Sequence, residues 1–469
     1  MDTTVSLNGK GSGFYKTLFR LMIPISLQLL VTFGIAFSDT TMIGNVSDEA
    51  MAGAYMGSQV QIFLQTLAMG ITGTVMILCA QYWGKGDTNS IRILCAIALR
   101  ILLVISTVLW LVCFFFPAQM LSIFTTDPTV ISEGTDFIRI LSFSYVFFAF
   151  SQVMISTVQS VESVKVGFYI SIMAFVVNLL LNWVFVFGNL GAPKLGAAGS
   201  ALSTLICRIC EAAAAGYYVL HKDKKLGIKL SSFFKTDKVL RRDFIKYGAP
   251  VLAGQLVWAV NLASQNAIMG RFDAEVITAL AVVNMLAQLT FIWMSGLAQG
   301  LTIMTSKLVG AGQCETLKSN VKRAQVFFLC IGTATGLFIF LFKDVFISLY
   351  PTLSPEAVET ARQFMAALAV LTVGTFYHAP LLLGFVRAGG SVSFVFINDS
   401  IFVFGVILPA ALIAMYVFHA PAWVVYTCLK ADQVLKCFVA IVVLNRLKWI
   451  KDLTRNRPPQ ETGLEEAGV

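Results

Sequence analysis

The chain has 469 residues, of which 57% are hydrophobic and only 13% are charged. Because soluble globular domains carry about 25% charged residues, this composition excludes an ordinary soluble enzyme, a disordered chain and a secreted disulfide scaffold. It indicates a helical protein that crosses a membrane many times. The net charge of +9 fits basic loops on one membrane side, so it predicts no nucleic acid partner.

Apolar runs between charged, proline and glycine breaks predict twelve transmembrane helices, since a span needs about 20 residues. In chain order the predicted spans are 17–40, 51–82, 91–115, 134–160, 166–188, 196–220, 241–269, 277–308, 320–342, 356–386, 393–418 and 421–446. The first run contains Pro24 and lacks a small-residue cleavage site, so we interpret it as an uncleaved span. The predicted fold class is therefore an all-α polytopic membrane protein.

Lysine and arginine concentrate in alternate loops, which predicts that both termini are cytoplasmic. The longest basic segment lies at mid-chain and divides it into two sets of six helices. The predicted units are an N-terminal lobe (1–220), a cytoplasmic basic linker (221–240), a C-terminal lobe (241–446) and a cytoplasmic tail (447–469).

The second half aligns with the first at a constant offset of 226 residues. The aligned pairs include Pro24 with Pro250, Ser38 with Ser264, Gly44 with Gly270, Gly70 with Gly296, and Gly84 with Gly310. Because each half has an even number of helices, both halves insert in the same orientation. The pattern predicts two six-helix bundles that are parallel repeats related by a pseudo-two-fold axis, with a cleft between them.

Several short motifs follow one another over nearly the whole chain. They are Ser38–Gly44, the Gly-x-Gly pairs at Gly84 and Gly310, Asn178-x-x-x-Asn182, Phe185–Gly188, Leu195–Gly199, Phe385–Gly390, Lys436 and Lys448-Trp449. Together they resemble the MATE (multidrug and toxic compound extrusion) family of efflux transporters, of the bacterial type.

The resemblance implies a monomeric transporter in the plasma (bacterial inner) membrane that exports small organic, often cationic compounds in exchange for H⁺ or Na⁺. In one branch of the family, an acid on the first helix and polar residues on the fifth and sixth hold the coupling ion. The corresponding positions here are Asp39, Asn178, Asn182 and Thr204. A sodium ion would bind at Asp39 and Asn178. The resemblance implies no cofactor beyond this ion, and the lipid bilayer and small molecules are the expected partners.

The sequence departs from the family pattern in two places. The second position on the fifth helix is often Asp in that branch and is Asn182 here. The NorM-like branch carries acids on the seventh and tenth helices, at positions that hold about Trp258 and Phe376 in this chain. These departures favour a coupling site in the first lobe.

Polar residues inside predicted spans are candidates for function because they are costly in lipid. Asp39 is a lone carboxylate, and Asn178 and Asn182 lie four apart on one helix face; the alternative is a structural hydrogen-bond network. Arg208 with Glu211, and Asp432 with Lys436, have the spacing of same-helix ion pairs. Cys207 and Cys210 are interpreted as packing residues.

The predicted substrate cavity contains Gln255, Asn284, Gln288, His378 and Asp399. The amides either line a wet cavity or bind helices together. Asp399 either pairs with Arg387 or is a second protonation site, and His378 is either a buried neutral side chain or a titrating one.

Other functional classes remain as alternatives. A flippase for lipid-linked precursors would favour a strongly basic central cavity, and a membrane receptor would not need two matched halves. The chain contains no nucleotide-binding or hydrolase motif, which argues against an enzyme and against transport driven by ATP.

Overall fold

The computed structural model of the protein describes residues 11–45, 48–351 and 353–455. The predicted N-terminal lobe and tail extend into residues 1–10 and 456–469, which lie outside the described residues. The first half contains α1 (Gly11–Gly44), α2 (Asp48–Lys85), α3 (Thr88–Phe115), the bent α4 (Pro128–Ser142 and Ser144–Ser160), α5 (Lys165–Phe185) and α6 (Gly196–Tyr217). The second half contains α7 (Lys238–Met269), α8 (Ala274–Gly310), α9 (Cys314–Ser348), α10 (Pro355–Leu381, continued by Leu382–Arg387), α11 (Val392–Ser400, Ile401–Ile407 and Leu408–Tyr416) and the broken α12 (Ala422–Leu429 and Asp432–Arg446).

Each predicted span coincides with one helix or one broken helix, which confirms the all-α membrane fold. Among the described residues, nine helices are long and apolar enough to cross a membrane, and the two segments of α4 make a tenth. The two remaining spans, α7 and α12, are more polar: α7 carries several amides and α12 carries Lys430, Asp432 and Lys436.

Local sequence explains where several helices begin. Asp87 caps α3 by accepting a hydrogen bond from the Ser90 backbone, and Asp237 caps α7 in the same way. Asp127 caps α4 before a proline, and its hydrogen bonds from Thr129 lower the pKa of the Asp127 carboxyl. Such caps satisfy backbone N–H groups that the first helical turn leaves without partners.

The 226-residue offset holds over all twelve helices. Adding 226 to the first residues of α2, α3 and α6 gives 274, 314 and 422, the first residues of α8, α9 and α12. Neighbours match as well: α1 packs on α5 as α7 packs on α11, and α4 packs on α6 as α10 packs on α12. The predicted pair of parallel six-helix repeats is therefore confirmed.

The two halves exchange the starts of their first helices. Phe14 and Leu18 of α1 lie in the hydrophobic core of the second half, whereas Leu240 and Phe244 of α7 lie in the core of the first. At the 226-residue offset, Phe14 corresponds to Leu240 and Leu18 corresponds to Phe244. Each half therefore packs around the first turns of a helix that belongs, in sequence, to the other half. The predicted lobe boundaries remain predictions.

The halves approach each other closely where α2 crosses α8. A Cβ on Gly84 would collide with the Lys307 carbonyl oxygen, and one on Gly310 would collide with that of Gln81. At the 226-residue offset Gly84 corresponds to Gly310, and Gln81 corresponds to Lys307. The two contacts are therefore related by symmetry, and the crossing lies on the pseudo-two-fold axis. Only glycine permits backbones to approach this closely.

A second pair of contacts obeys the same symmetry farther along the helices. Gly70 of α2 packs against Leu252 of α7, and Gly296 of α8 packs against Ser26 of α1. Each contact maps onto the other at the 226 offset. The four helices α1, α2, α7 and α8 therefore form the interface between the halves.

We expect Gly84→Ala and Gly310→Ala each to destabilise the protein by about 1–3 kcal/mol, the usual cost of overpacking. Gly254→Ala is the matched control, because a Cβ at Gly254 meets open space. Thermal unfolding in detergent measures the difference. Equal melting temperatures for all three variants would show that the crossing tolerates separation.

Candidate functional site

Asp39, near the end of α1, is tied to the polar face of α5. Asn182 Nδ2 donates to Asp39 Oδ1 at 2.5 Å and lies 3.3 Å from Asn178 Oδ1. Both asparagines are fully buried, and Asp39 is partly exposed. Because residues four apart share a helix face, the packing of α1 on α5 brings both amides to the carboxylate.

The sixth helix completes this group. Thr204 is buried on α6 and its side chain is a further polar neighbour of Asp39. The glycine-rich start of α6 allows this approach, because a Cβ on Gly199 would collide with the Phe185 carbonyl of α5. The structure therefore brings together all four residues of the predicted coupling site.

Two polar atoms of the group have no hydrogen-bond partner within the described chain. They are Asn182 Oδ1 and Asn178 Nδ2, both inaccessible to solvent. A buried unpaired acceptor is costly. An unpaired amide oxygen beside a carboxylate is therefore suited to a positively charged ligand that is bound by oxygen atoms. A proton on Asp39 or a sodium ion has that chemistry.

The other acid inside the first half is neutralised. Glu211 forms the predicted same-helix ion pair with Arg208 at 2.5 Å, and the guanidinium lies 5.1 Å from the centre of the Phe148 ring. Among the described residues, Asp39 forms no ion pair within 4 Å. Asp39 therefore differs from Glu211 in having no direct counter-charge, and Arg208 is a more distant electrostatic neighbour.

The second half carries a buried cluster of charges around Lys436. Its ammonium lies 2.8 Å from Asp399 and 3.0 Å from Asp432. The pair with Asp432 has the predicted i,i+4 spacing. Asp399 pairs with Lys436 on α12 and not with Arg387, the partner considered from the sequence. Spacing along the chain cannot decide which residue of another helix lies nearest.

The five residues of the predicted substrate cavity fall into two groups. His378 is buried, bonds the Gly374 carbonyl of its own helix at 2.9 Å, and is an electrostatic neighbour of the Lys436 cluster that holds Asp399. Gln255 is half-buried on α7, and Asn284 and Gln288 are exposed one turn apart on α8. The role of these residues in substrate binding remains a prediction.

Polar contacts join the halves at the end where the basic loops lie, which we call the basic end. Lys307 of α8 pairs with Glu162 of the first half at 2.8 Å. At the positions related by the offset, Gln81 donates to the Ala388 carbonyl oxygen at 3.2 Å. One half thus uses an ion pair where the other uses an amide and a backbone oxygen.

The chain after α12 crosses the basic end. Leu453 N donates to Gln81 Oε1 at 2.9 Å, Asp452 pairs with Lys85 at 3.0 Å, and Arg455 binds both oxygens of Asp243 at 2.8 Å. Burial raises the pKa of Asp452, but bonds from Thr454 and Lys85 leave it below its usual value. Sequence analysis missed this segment, because its polar composition is that of an ordinary tail.

Two matched six-helix halves that close on each other at one end, with a partly buried carboxylate among polar side chains in one of them, have the architecture of a membrane transporter. A sequence profile of the MatE family matches residues 24–184 and 250–431, most of the chain, and the chain belongs to that family. The two matches begin at Pro24 and Pro250, the pair related by the 226 offset. The family resemblance seen in the sequence is confirmed, and the protein is a transporter and not an enzyme.

Curated relatives match over most of their length. "Probable multidrug resistance protein NorM" of Geobacillus kaustophilus is 26% identical over 410 residues, covering 87% of this chain and 89% of the relative. "Uncharacterized transporter YisQ" of Bacillus subtilis is 23% identical, covering 84% and 86%.

Solved structures share the fold. A MATE transporter crystallised in complex with MaL6 superposes with a TM-score of 0.83 at 17% identity, covering 94% of this chain and 97% of that chain. The eukaryotic MATE transporter AtDTX14 gives a TM-score of 0.79 at 16% identity, covering 94% and 97%.

We expect Lys436→Met to destabilise the protein by about 3 kcal/mol, since it leaves two partly buried carboxylates, Asp399 and Asp432, without their counter-charge. Adding Asp399→Asn and Asp432→Asn to the same chain removes those charges and should recover most of the stability. Lys318→Met breaks an exposed i,i+3 pair with Glu315 and is the control, with little expected change. Thermal unfolding measures all three, and equal effects at both lysines would contradict a structural role for the cluster.

Proposed function

We propose that this chain is a secondary active efflux transporter that exports small organic, mainly cationic compounds in exchange for H⁺ or Na⁺. The observation that carries the proposal is the partly buried Asp39 carboxylate, which has amide neighbours from α5 and no ion pair among the described residues. The names of the NorM relatives support drugs and other foreign compounds as substrates.

Ion binding at Asp39 would change the contact between α1 and α5. Asn182 Nδ2 donates a hydrogen bond to Asp39 Oδ1 of the ionised carboxylate. A proton on Asp39 Oδ1 would place two donors opposite each other and weaken this contact. A sodium ion would instead join the carboxylate to Asn182 Oδ1, the acceptor without a partner. Either event repacks α1, whose start lies in the core of the second half, and so links ion binding to the interface.

The driving force for export is the ion gradient. Moving one net charge through the membrane potential is worth about 2.3 kcal/mol per 100 mV. The potential therefore drives export of a neutral substrate in exchange for one ion, or of a monovalent cation in exchange for two. One-for-one exchange with a monovalent cation moves no net charge and is driven by the concentration gradient of the ion. Gln255, Asn284, Gln288, His378 and Asp399 are proposed to contact the substrate between the halves. Trp258, stacked on Phe291 at 5.6 Å, adds an aromatic surface suited to hydrophobic cations.

The proposed location is the plasma membrane, with the basic end and both termini in the cytoplasm and the protein active as a monomer. Lys85, Lys307 and the basic residues near 222–246 all lie on this side. In this orientation the structure is closed toward the cytoplasm, where α2 crosses α8.

We expect Asp39→Asn to abolish gradient-driven export and to preserve membrane insertion and substrate binding, because the amide keeps the size but cannot change charge. Asn178→Ala should impair the same step less, since it removes one neutral ligand. Dye accumulation in inverted vesicles under imposed H⁺ and Na⁺ gradients measures both. Near-normal uphill export by Asp39→Asn would place the coupling site elsewhere, with Asp399 as the next candidate.

Conservative changes at Gln255 or Gln288 should alter the relative export rates of different substrates and leave ion dependence unchanged. Neutral amides of a binding surface select among substrates by hydrogen bonding and shape. Transport assays over a panel of cationic dyes test this. A uniform loss for every dye, with the protein still folded, would assign these residues to the transport cycle.

Single cysteines introduced at 222–240 should react with impermeant thiol reagents only from the cytoplasm, and those at 125–132 only from outside. The basis is the inside-positive distribution of lysine and arginine. Labelling of intact cells against inverted vesicles distinguishes the two. Reaction of 222–240 from outside would reverse the proposed orientation.

A further inference from the structure

The pseudo-two-fold axis assigns a counterpart to each residue of the Asp39 group. Asp39 corresponds to Gln265, between the matched pairs Ser38–Ser264 and Gly44–Gly270. Thr204 corresponds to Lys430, because α6 and α12 begin at residues related by the same offset. The second half thus has an amide in place of the acid and a lysine in place of the threonine.

These two counterparts contact each other across helices. Lys430 Nζ donates to Gln265 Oε1 at 3.3 Å, and Gln265 Nε2 donates to the Leu429 carbonyl oxygen at 3.3 Å. In the first half, the related residues Thr204 of α6 and Asp39 of α1 are polar neighbours. The Lys430 ammonium therefore lies at the position that symmetry relates to the Asp39 group.

The surroundings of Lys430 suit a cation. Helix α12 is broken here, so the carbonyl end of its first segment, which ends at Leu429, faces the break. Carbonyl ends of helices favour positive charge, and broken helices in transporters use them to bind cations. The Tyr426 ring adds a cation–π contact at 5.6 Å.

A free ion would find few ligands at this position. Asn178 and Asn182 correspond to Phe404 and Leu408, which have no side-chain oxygen. Lys430 forms no ion pair within 4 Å in the part of the chain that the structure describes. Its ammonium has a neutral oxygen of Gln265 as its hydrogen-bond partner, and Asp432, the nearby acid, is paired with Lys436. A partly buried ammonium without a direct counter-charge is costly in a membrane protein, which indicates that the charge itself has a function.

We infer that Lys430 is a built-in cation, whose ammonium takes in the second half the place that an exchangeable ion takes at Asp39 in the first. The inference rests on the proposed ion coupling. It means that both halves contain a positive charge at related positions when the ion is bound, but only the first half can release it. Each cycle then exchanges an ion at one site, although the fold is duplicated.

Chemical rescue tests this role. Lys430→Ala should lower export by about tenfold or more, the scale of losing a hydrogen bond to a charged group. Propylammonium should restore a large part of the activity by entering the space that the side chain leaves, and 1-propanol, which is similar in size but neutral, should not. Neither compound should change export by the unaltered protein.

The other outcomes overturn the inference. Normal export by Lys430→Ala would show that the charge is dispensable, and rescue by both compounds or by neither would assign Lys430 to packing. If Lys430→Ala does not fold, Lys430→Arg and Lys430→Met replace it. The arginine variant should export at least severalfold faster than the methionine variant, and equal rates would reject the built-in cation.

A second experiment separates this inference from the proposed function. Ion-dependent thermal stabilisation by Na⁺ or by acid should disappear in Asp39→Asn; its persistence would contradict the Asp39 site and leave the rescue result at Lys430 intact. Adding Gln265→Asp, Lys430→Thr, Phe404→Asn and Leu408→Asn to Asp39→Asn supplies the acid, the hydroxyl and both amides of the first half. This variant should restore ion-dependent stabilisation, now in the second half. Its absence, with the protein folded, would show that this position does not accept a cation.

Discussion

The crossing of α2 and α8 at Gly84 and Gly310 is the contact on which the arrangement of the two halves depends. Because each glycine faces a backbone carbonyl of the other helix, the halves meet there without intervening side chains. Around this point lie the exchanged starts of α1 and α7 and the pair of Lys307 with Glu162. The halves are thus joined at one end, which is the geometry that rocking about a central interface requires.

Duplication of the scaffold did not duplicate its polar groups. The packing residues at the interface match at the 226 offset, since the same helices must approach equally closely in both halves. The counterpart of Asp39 is an amide, Gln265, and the counterparts of its two asparagine neighbours are the apolar residues Phe404 and Leu408. Symmetry therefore sets the positions of helices, and individual side chains determine which half carries chemistry.

The carboxylates inside the predicted spans fall into two groups, because lipid offers a charge no solvation. Glu211, Asp399 and Asp432 each have a cationic partner within about 3 Å, and these pairs stabilise the interior of each half. Asp39 instead has hydrogen bonds from amides and an adjacent acceptor without a partner. This contrast distinguishes a group suited to a change of charge from groups that hold helices together.

The sequence by itself determined the twelve spans, the parallel repeat and the shared face of Asn178 and Asn182, because hydrophobic length and helical period are local properties. It also found the ion pairs within one helix, such as Arg208 with Glu211. Only the tertiary structure decided that Asp399 pairs with Lys436, that Gln265 binds Lys430, and that α1 and α7 exchange their ends. Periodicity shows which residues share a face, but the packing of distant helices decides what that face contacts.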